Sequence, residues 1–314
     1  MRSRTRKGEG TMKALIIYFS MSGYTRRVAE HIRDGILEEA DQCDLKSLAE
    51  ADSSSLVDYD LVGLGCPVYY YKEPFNVSDW IDGLPELKGK HWFVFCTHGS
   101  VMGKTLISMS ERLKKKGILV IGYFHTYADA TAPFFPYPVP TTGHPDPLEY
   151  EQSHAFGKEV VERSRGITQG EVDLLPTPDP VSDDWSQTAD MLTRELLRQM
   201  MPPLRIDMEK CTLCHECEDS CPVKGIKVES DPPRIQNPCI YCFQCTMICP
   251  TAAIDADWEL LRGFFPEDLF ARYLEELAKA EAKGAFRWHI DLTSINLQDT
   301  QLEQRKRKLR GQTG

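Results

Sequence analysis

The chain has 314 residues, a net charge of −10 and 41% apolar side chains, which suits one large or two smaller globular domains. Its negative charge repels nucleic-acid phosphates and anionic lipids, so we exclude a general nucleic-acid binder and expect docking to basic protein surfaces. The apolar run at 14–19 is too short for a membrane span or a signal-peptide core, and we expect a cytoplasmic protein.

Residues 1–11 contain several basic side chains and no apolar run. We expect them to form a disordered extension, with Met12 as an alternative start. Residues 12–165 then alternate strand-like and helix-like segments, which predicts a doubly wound parallel sheet covered by helices on both faces. Strands are predicted at 13–20, 43–48, 59–68, 91–100 and 117–126, and helices at 24–39, 74–84, 103–116 and 147–165.

A connector at 166–203 is rich in proline and aspartate and is predicted to contain one helix, at 182–201. Ser182 is a favourable N-cap residue, and the two aspartates after it suit the first turn, where the helix dipole favours negative charge. Pro202 is expected to end this helix because proline cannot continue it.

A cysteine module at 204–254 follows the connector, and an extension occupies 255–314. The extension is predicted to contain a helix at 266–284 and to end in a frayed tail. One face of that helix is apolar and carries Phe270, Tyr273, Leu274 and Leu277.

Eight of the eleven cysteines lie in two runs, at 211–222 and 239–250, each spaced C-x2-C-x2-C-x3-C-P. This spacing is typical of bacterial two-cluster ferredoxins, in which the fourth cysteine of each run ligates the other cluster. The pattern therefore assigns one 4Fe-4S cluster to Cys211, Cys214, Cys217 and Cys249, and the other to Cys239, Cys242, Cys245 and Cys221. A structural zinc site is disfavoured because it needs two close pairs separated by a longer gap.

The rest of the module is consistent with this interpretation. His215 lies between two ligands and is expected to be solvated or to donate to cluster sulfide, because sulfur already fills the ligand positions. The segment 225–238 alternates like a strand around a Pro-Pro turn, which predicts a short hairpin. The three remaining cysteines are expected to be free thiols in a reducing compartment.

Three polar loops follow predicted strands at their carboxyl ends, where a doubly wound sheet binds ligands. The loop at 20–25 precedes a helix, and its hydroxyl and amide groups can surround a phosphate without the lysine of a GxxxxGK loop or the glycines of GxGxxG. The loop at 65–74 has three consecutive tyrosines, and the loop at 97–103 is small and polar with glycines that permit close approach.

The first loop resembles the phosphate loop of the flavodoxin family, S/T-x-S/T-G-x-T. Together with the cysteine module, the chain is similar to flavodoxin-ferredoxin fusion proteins over 12–165 and 204–254. The resemblance implies an α/β flavodoxin-like doubly wound parallel sheet of order 2-1-3-4-5, a small α+β ferredoxin-like domain, FMN and two 4Fe-4S clusters. The FMN-binding residues that it implies are Ser20, Ser22, Gly23, Tyr24, Thr25, Pro67, Val68, Tyr69, Tyr70, Thr97, His98 and Gly99.

Some residues of the later loops keep two interpretations. Either Tyr69 or Tyr70 is expected to flank the flavin ring. Cys66 either tunes the flavin or packs as a thiol behind it, and His98 either donates to the reduced flavin or caps its own loop.

Other residues around the first loop also keep alternatives. Arg26 and Arg27 are interpreted as surface charges rather than as phosphate ligands, and the backbone of Tyr24 is expected to matter more than its ring. The aromatic stretch 133–140 could shield the flavin, pack against the cysteine module or fill the gap between them.

A flavin exchanges one or two electrons, whereas each cluster passes one at a time. We therefore expect an electron-transfer protein that works with a partner oxidoreductase in low-potential, anaerobic-type metabolism, the partner having a basic docking surface. One alternative is an FMN-dependent reductase of a quinone, enone or activated acid, with His98 or a tyrosine at 69–71 as the acid. Another is a redox-sensing or assembly subunit. The sequence assigns no catalytic residue, direction of electron flow or oligomeric state.

Overall fold

The computed structural model describes residues 11–230, 232–236, 239–263 and 267–311. The extension predicted at 1–11 lies outside the described residues except for Thr11. The sheet consists of β1 (Lys13–Tyr18), β2 (Gln42–Ser47), β3 (Leu61–Pro67), β4 (His91–His98) and β5 (Leu119–Tyr127). These strands are parallel and hydrogen-bond in the order β2-β1-β3-β4-β5, which confirms the predicted topology.

Helices cover both faces of the sheet. They are α1 (Tyr24–Leu37), α2 (Phe75–Asp82), α3 (Thr105–Lys114) and α4 (Pro147–Thr168), the last preceded by a two-residue strand, β6 (Pro136–Tyr137). α1 and α4 pack on one face and α2 and α3 on the other, each burying an apolar cluster. The first helix buries Val28, Ile32 and Ile36, the three residues whose spacing predicted it.

The centre of the sheet is filled by large rings that need space on the neighbouring strand. Phe93 and Phe95 on β4 are fully buried. A Cβ atom at Gly63 would lie 2.2 Å from the Phe93 ring, and one at Gly65 would lie 2.0 Å from the Phe95 ring. Glycine on β3 therefore lets the aromatic side chains of β4 pack against its backbone.

The connector differs from the prediction of one helix. It contains α5 (Asp183–Met191) and α6 (Arg194–Met200), separated at Leu192 and Thr193. The Thr193 side chain accepts a hydrogen bond from the Leu196 amide, so it caps α6 and starts a new helix. Ser182 occupies the predicted N-cap position of α5, but its side chain makes no capping hydrogen bond.

In its described residues, the cysteine module has two short helices and two antiparallel strand pairs. Its elements are β7 (Arg205–Ile206), α7 (Glu216–Asp219), β8 (Ile226–Lys227), β9 (Arg234–Ile235), α8 (Gln244–Ile248) and β10 (Ile254–Asp255). β8 pairs with β9, as expected for the hairpin, and β10 pairs with β7, which brings the two ends of the module together.

The final segment is more ordered than the frayed tail expected. It contains α9 (Trp258–Gly263), α10 (Glu267–Ala282), β11 (Asn296–Thr300) and α11 (Gln301–Gly311). β11 pairs with β6, so the segment 296–302 is held by the aromatic stretch 133–140. Local charge and polarity predict fraying, but this contact over a long sequence separation orders the segment up to Gly311, and residues 312–314 lie outside the described residues.

An ionic cluster also attaches the final segment to the sheet domain. His144 Nδ1 lies 2.8 Å from a Glu149 carboxylate oxygen, and its Nε2 lies 2.8 Å from the Arg287 carbonyl oxygen. Both partners are acceptors, so both ring nitrogens donate and the ring is charged. Burial alone would lower the pKa of His144, but the hydrogen bond and charge of Glu149 outweigh it and raise that pKa.

Among the residues that the structure describes, no helix is both long and apolar enough to cross a membrane.

Candidate functional site

The first polar loop joins β1 to α1 and closes on itself. Gly23 has a φ of 86°, a left-handed conformation that glycine adopts without strain, and its amide donates to Ser20 Oγ at 3.1 Å. The hydroxyl of Thr25, in the first turn of α1, lies 2.7 Å from that of Thr97 in the third loop, and both are buried. The amides of this helix N-terminus are suited to an anion.

The three loops surround a cavity of about 420 Å³, which we call the main cavity. This volume lies within the range of small-molecule and cofactor sites. Ten of the twelve residues implied for FMN line it: Ser22, Tyr24, Thr25, Pro67, Val68, Tyr69, Tyr70, Thr97, His98 and Gly99. The other two, Ser20 and Gly23, shape the loop through their mutual hydrogen bond.

Two buried polar atoms on the wall of the main cavity have no hydrogen-bond partner among the residues that the structure describes. They are Oδ1 of Asp129 and the hydroxyl of Thr141. The other carboxylate oxygen of Asp129 accepts from the Tyr24 hydroxyl at 2.9 Å, and burial raises the pKa of Asp129. Buried polar groups in native proteins are paired, so these atoms fit a ligand that carries hydroxyl groups, as the ribityl chain of FMN does.

The Tyr24 ring contributes more than the sequence suggested, because its hydroxyl holds Asp129. The Arg27 guanidinium lies 4.6 Å from the centre of that ring and donates to the Tyr150 hydroxyl, whereas Arg26 pairs with Glu30 on the helix surface. Neither arginine lines the main cavity among the residues described.

His98 lines the main cavity, but both of its ring nitrogens are hydrogen-bonded within the protein. Its Nδ1 donates to the Gly99 carbonyl at 2.9 Å, so Nε2 is left to accept from His125 Nδ1 at 3.0 Å. Burial lowers the pKa of His98 to about 3, which keeps the ring neutral. The geometry favours the second interpretation, in which His98 caps its own loop. Cys66 is likewise a buried thiol, 3.6 Å from the Met109 sulfur.

The tyrosine loop connects the sheet domain to the cysteine module. Tyr70 and Tyr71 have φ of 54° and 63°, and the Tyr70 hydroxyl donates to the Tyr241 carbonyl at 2.8 Å. Tyr69 instead packs edge-on against Phe19. The loop therefore reaches the backbone between two cluster-motif cysteines, Cys239 and Cys242.

The main cavity has further walls that come from outside the three loops. The stretch 133–140 contributes Phe134 and Phe135, and the Phe134 ring meets Phe243 of the cysteine module edge-on at 5.6 Å. This stretch therefore lies between the cavity and the module. The connector and α10 contribute Trp185, Leu192, Leu197, Met200, Met201, Leu269, Phe270, Arg272 and Tyr273.

The motif cysteines line two small cavities in the module. One, the outer site, is lined by Cys211, Cys214, Cys217 and Cys249, and the other, the inner site, by Cys221, Cys239, Cys242 and Cys245. These sets are the two crossed sets that the spacing assigns. Cys242 and its neighbour Phe243 also line the main cavity, so the second motif run borders both the inner site and the loops of the sheet domain.

The cysteine spacing suits clusters better than zinc. In the part of the chain that the structure describes, no three cysteine sulfurs lie within 4.8 Å of one another. Four thiolates on one zinc ion, with Zn–S bonds of about 2.3 Å, would lie about 3.8 Å apart. The Thr246 hydroxyl, next to Cys245, is fully buried without a partner among the described residues, which fits a further acceptor such as cluster sulfide.

His144, Asp146 and His289 form the one group compact enough for a metal ion among the described side chains. Their ligand atoms are already engaged, however. Both nitrogens of His144 donate within the ionic cluster, and Asp146 Oδ2 accepts from Arg287 Nε at 2.8 Å and His289 Nε2 at 3.0 Å. The group is therefore a structural junction.

Sequence reasoning did not identify several of these residues. Asp129 follows β5 directly, so its position at the carboxyl edge of the sheet was a usable signal. The signal for Trp185 and Tyr273 was weaker, because each lies on a helix far from the loops in sequence. Nothing local indicates that these helices cover the main cavity.

Comparisons with known proteins match the two parts separately. Residues 15–124 match the flavodoxin domain family, and residues 203–250 match the 4Fe-4S dicluster domain family. A flavodoxin of Clostridium saccharobutylicum is 31% identical over 115 residues, covering 35% of this chain and 72% of that protein. A ferredoxin of Methanothermococcus thermolithotrophicus is 34% identical over 53 residues, covering 16% of this chain and 88% of that protein.

Among solved structures, a flavodoxin from the domain Archaea is 20% identical with a TM-score of 0.40. The match covers 49% of this chain and 99% of that one.

Proposed function

Because the chain belongs to the flavodoxin family in its first part and carries a 4Fe-4S dicluster ferredoxin domain after it, we propose that it passes electrons between two 4Fe-4S clusters and FMN. The two domains make it an electron-transfer flavo-iron-sulfur protein. We further propose that it exchanges these electrons with a partner oxidoreductase in low-potential, anaerobic-type metabolism.

The proposed cofactor ligands follow from the cavities. The loop from Ser20 to Thr25 would hold the FMN phosphate, Asp129 and Thr141 would meet its hydroxyl groups, and the tyrosine and third loops would hold its ring. The cysteines of the outer site and of the inner site would each hold one cluster. When bound, FMN exchanges one or two electrons and each cluster one, so the protein joins one-electron and two-electron chemistry.

The observation that carries this proposal is the shared position of Cys242. It borders both the main cavity and the inner site, and the neighbouring Tyr241 carbonyl accepts a hydrogen bond from Tyr70 of the flavodoxin loop. Ile240 is 2% exposed and packs in the core of the flavodoxin domain. The proposed ligand loop of one cluster thus packs against the proposed flavin site.

The outer site is the proposed contact for the partner. Cys214 and its neighbour Leu213 are exposed, and Glu216 and Asp219 on α7 add negative charge beside them. An apolar contact rimmed by acidic groups suits a partner with a basic docking surface, and high salt would weaken the encounter.

The test is anaerobic purification with cofactor analysis, followed by rapid reduction with dithionite. We expect about eight iron atoms, about eight sulfides and about one FMN per chain. Dithionite should bleach the cluster absorbance before the flavin absorbance, and a basic protein acceptor should then reoxidise both. Zinc in place of iron, or a protein without flavin, would refute the proposal.

A second candidate function, reduction of a small molecule, is favoured by the walls of the main cavity. Tyr71, Trp185 and Tyr273 form an aromatic group in which the two tyrosine hydroxyls are hydrogen-bonded. The Arg272 guanidinium lies 4.3 Å from the centre of the Trp185 ring. Such a wall suits a flat conjugated molecule such as a quinone or enone.

This second function predicts turnover of a quinone or enone by the dithionite-reduced protein in the absence of any partner protein. Trp185→Ala should raise the KM for that molecule, while Trp80→Ala, a change of the same type at a residue that does not line the main cavity, should not. Reduced protein that reacts only with protein acceptors would exclude this function.

A further inference from the structure

The helix α11 is held against the wall of the main cavity. The Gln301 amide donates to the Phe135 carbonyl at 3.0 Å, and the Leu302 amide donates to the Pro133 carbonyl at 3.1 Å. Leu302 itself is 3% exposed. The start of α11 is therefore fixed in position, and the residues one turn later are fixed with it.

One turn into α11, Arg305 reaches the outer site. Its guanidinium donates to the carbonyl oxygen of Cys249 at 2.9 Å, and Cys249 is a proposed cluster ligand that is 8% exposed. The Nε atom of Arg305 is buried and has no hydrogen-bond partner in the described part of the chain. No ion pair neutralises Arg305 within the described residues, whereas Arg307 is paired with Asp299. The positive charge of Arg305 therefore lies beside the backbone of Cys249, a proposed ligand of the outer site.

We propose that the positive charge of Arg305 raises the reduction potential of the cluster held by the outer site. The inference depends on the proposed function, because it requires that cluster. A cluster gains one negative charge when a one-electron donor reduces it, and a nearby cation stabilises the reduced form. Because the contact is partly buried, solvent and salt screen it less than they screen a surface charge.

The consequence is that the two clusters are inequivalent. The residues that bring the cation belong to the extension at the chain end, outside the two domains that match known families. The extension therefore has a redox role in addition to covering the main cavity. Electrons are held more strongly at the outer site, where a partner would meet them.

The experiment is an anaerobic redox titration of the full chain with its cofactors bound, followed by electron paramagnetic resonance. Arg305→Gln is expected to shift the reduction equilibrium of one cluster about tenfold toward the oxidised form, or 59 mV for a one-electron couple. The other cluster and the flavin should be unchanged. The matched control is Arg307→Gln, which removes the same charge from the same helix and should leave both cluster potentials unchanged.

Arg305→Lys keeps the charge and should keep the cluster potential close to that of the wild type. If Arg305→Gln loses iron, Arg305→Met, which keeps the aliphatic stem, is titrated in its place. Unchanged potentials in the glutamine variant, or equal shifts in both glutamine variants, would overturn the inference alone. A wild-type chain without clusters would overturn the proposed function and this inference together.

Discussion

The two halves of the cysteine module have the same backbone and different surroundings. In each half the two residues on either side of the second cysteine are left-handed: Leu213 and His215 have φ of 54° and 64°, and Tyr241 and Phe243 have φ of 53° and 55°. In each half the fourth cysteine sulfur accepts an amide hydrogen bond at 3.2 Å from the residue four positions later. The cysteine spacing therefore sets the backbone of both halves alike.

The side chains between the cysteines decide what each half contacts. Leu213 is 50% exposed, whereas its equivalent Tyr241 lines the main cavity. Phe243 is 4% exposed and packs against Phe134, whereas its equivalent His215 is half-buried and lines the outer site. One half thus leaves its site partly exposed to solvent, and the other joins its site to the flavodoxin domain.

The largest expected effects come from removing one ligand of each site. Cys214→Ser and Cys242→Ser should each lower the iron content by about half, from about eight to about four atoms. Dithionite should still reduce the flavin rapidly in Cys214→Ser but slowly in Cys242→Ser, because Cys242 borders the main cavity. Iron analysis and stopped-flow absorbance would test this, and equal flavin kinetics in both variants would contradict it.

Truncation of equivalent side chains should differ in its effect on stability. Phe243→Ala removes a buried ring that contacts Phe134 and Trp258, and should lower the free energy of unfolding by about 3–5 kcal/mol. Leu213→Ala, at an exposed position in the other half, should lower it by no more than about 0.5 kcal/mol. Anaerobic urea unfolding followed by cluster absorbance measures both. Similar losses would mean that the two halves are equally buried in solution.

Much of the fold could be predicted because its signals are local. The strand alternation, the spacing of Val28 with Ile32 and the cysteine runs all depend on neighbours in the sequence. The break between α5 and α6 could not be predicted from composition, because a threonine within a helix-forming stretch gave no separate signal. Thr193 becomes an N-cap only where packing turns the chain.

The loops of the candidate site could be predicted from the sequence, but the helices that cover the main cavity could not. The loops follow strands whose ends meet at one edge, so their proximity follows from the sheet topology. Trp185 and Tyr273 reach the main cavity through tertiary packing between distant segments. The contact of Arg305 with Cys249 depends in turn on the pairing of β11 with β6, two short strands with no alternation of their own.

A smaller effect is expected from removing the hydrogen bond between the domains. Tyr70→Phe leaves the Tyr241 carbonyl without its donor and should lower the free energy of unfolding by about 0.5–1.5 kcal/mol. The matched variant Tyr59→Phe removes a hydroxyl that donates to Asp44 at 2.7 Å, and its loss of stability should be similar. Stopped-flow reduction should slow at the flavin in Tyr70→Phe alone. Unchanged flavin kinetics in both variants would show that this hydrogen bond does not position the inner site against the main cavity.

The smallest expected change in stability comes from glycine substitutions at Leu213 and Tyr241. These variants distinguish the contribution of the backbone, which the two halves share, from that of the side chains, which differ. A non-glycine residue in the left-handed region is strained by about 1 kcal/mol, and glycine relieves that strain but adds entropy to the unfolded chain. Leu213→Gly should therefore raise the free energy of unfolding, by about 0.5 kcal/mol or less. The gain is expected because the exposed side chain of Leu213 contributes little to stability. Tyr241→Gly relieves the same strain but loses the packing of its ring at the main cavity, so it should be destabilising. Urea unfolding of the two variants would contradict this account if both changed stability in the same direction and by the same amount, since the side chains would then be equivalent too.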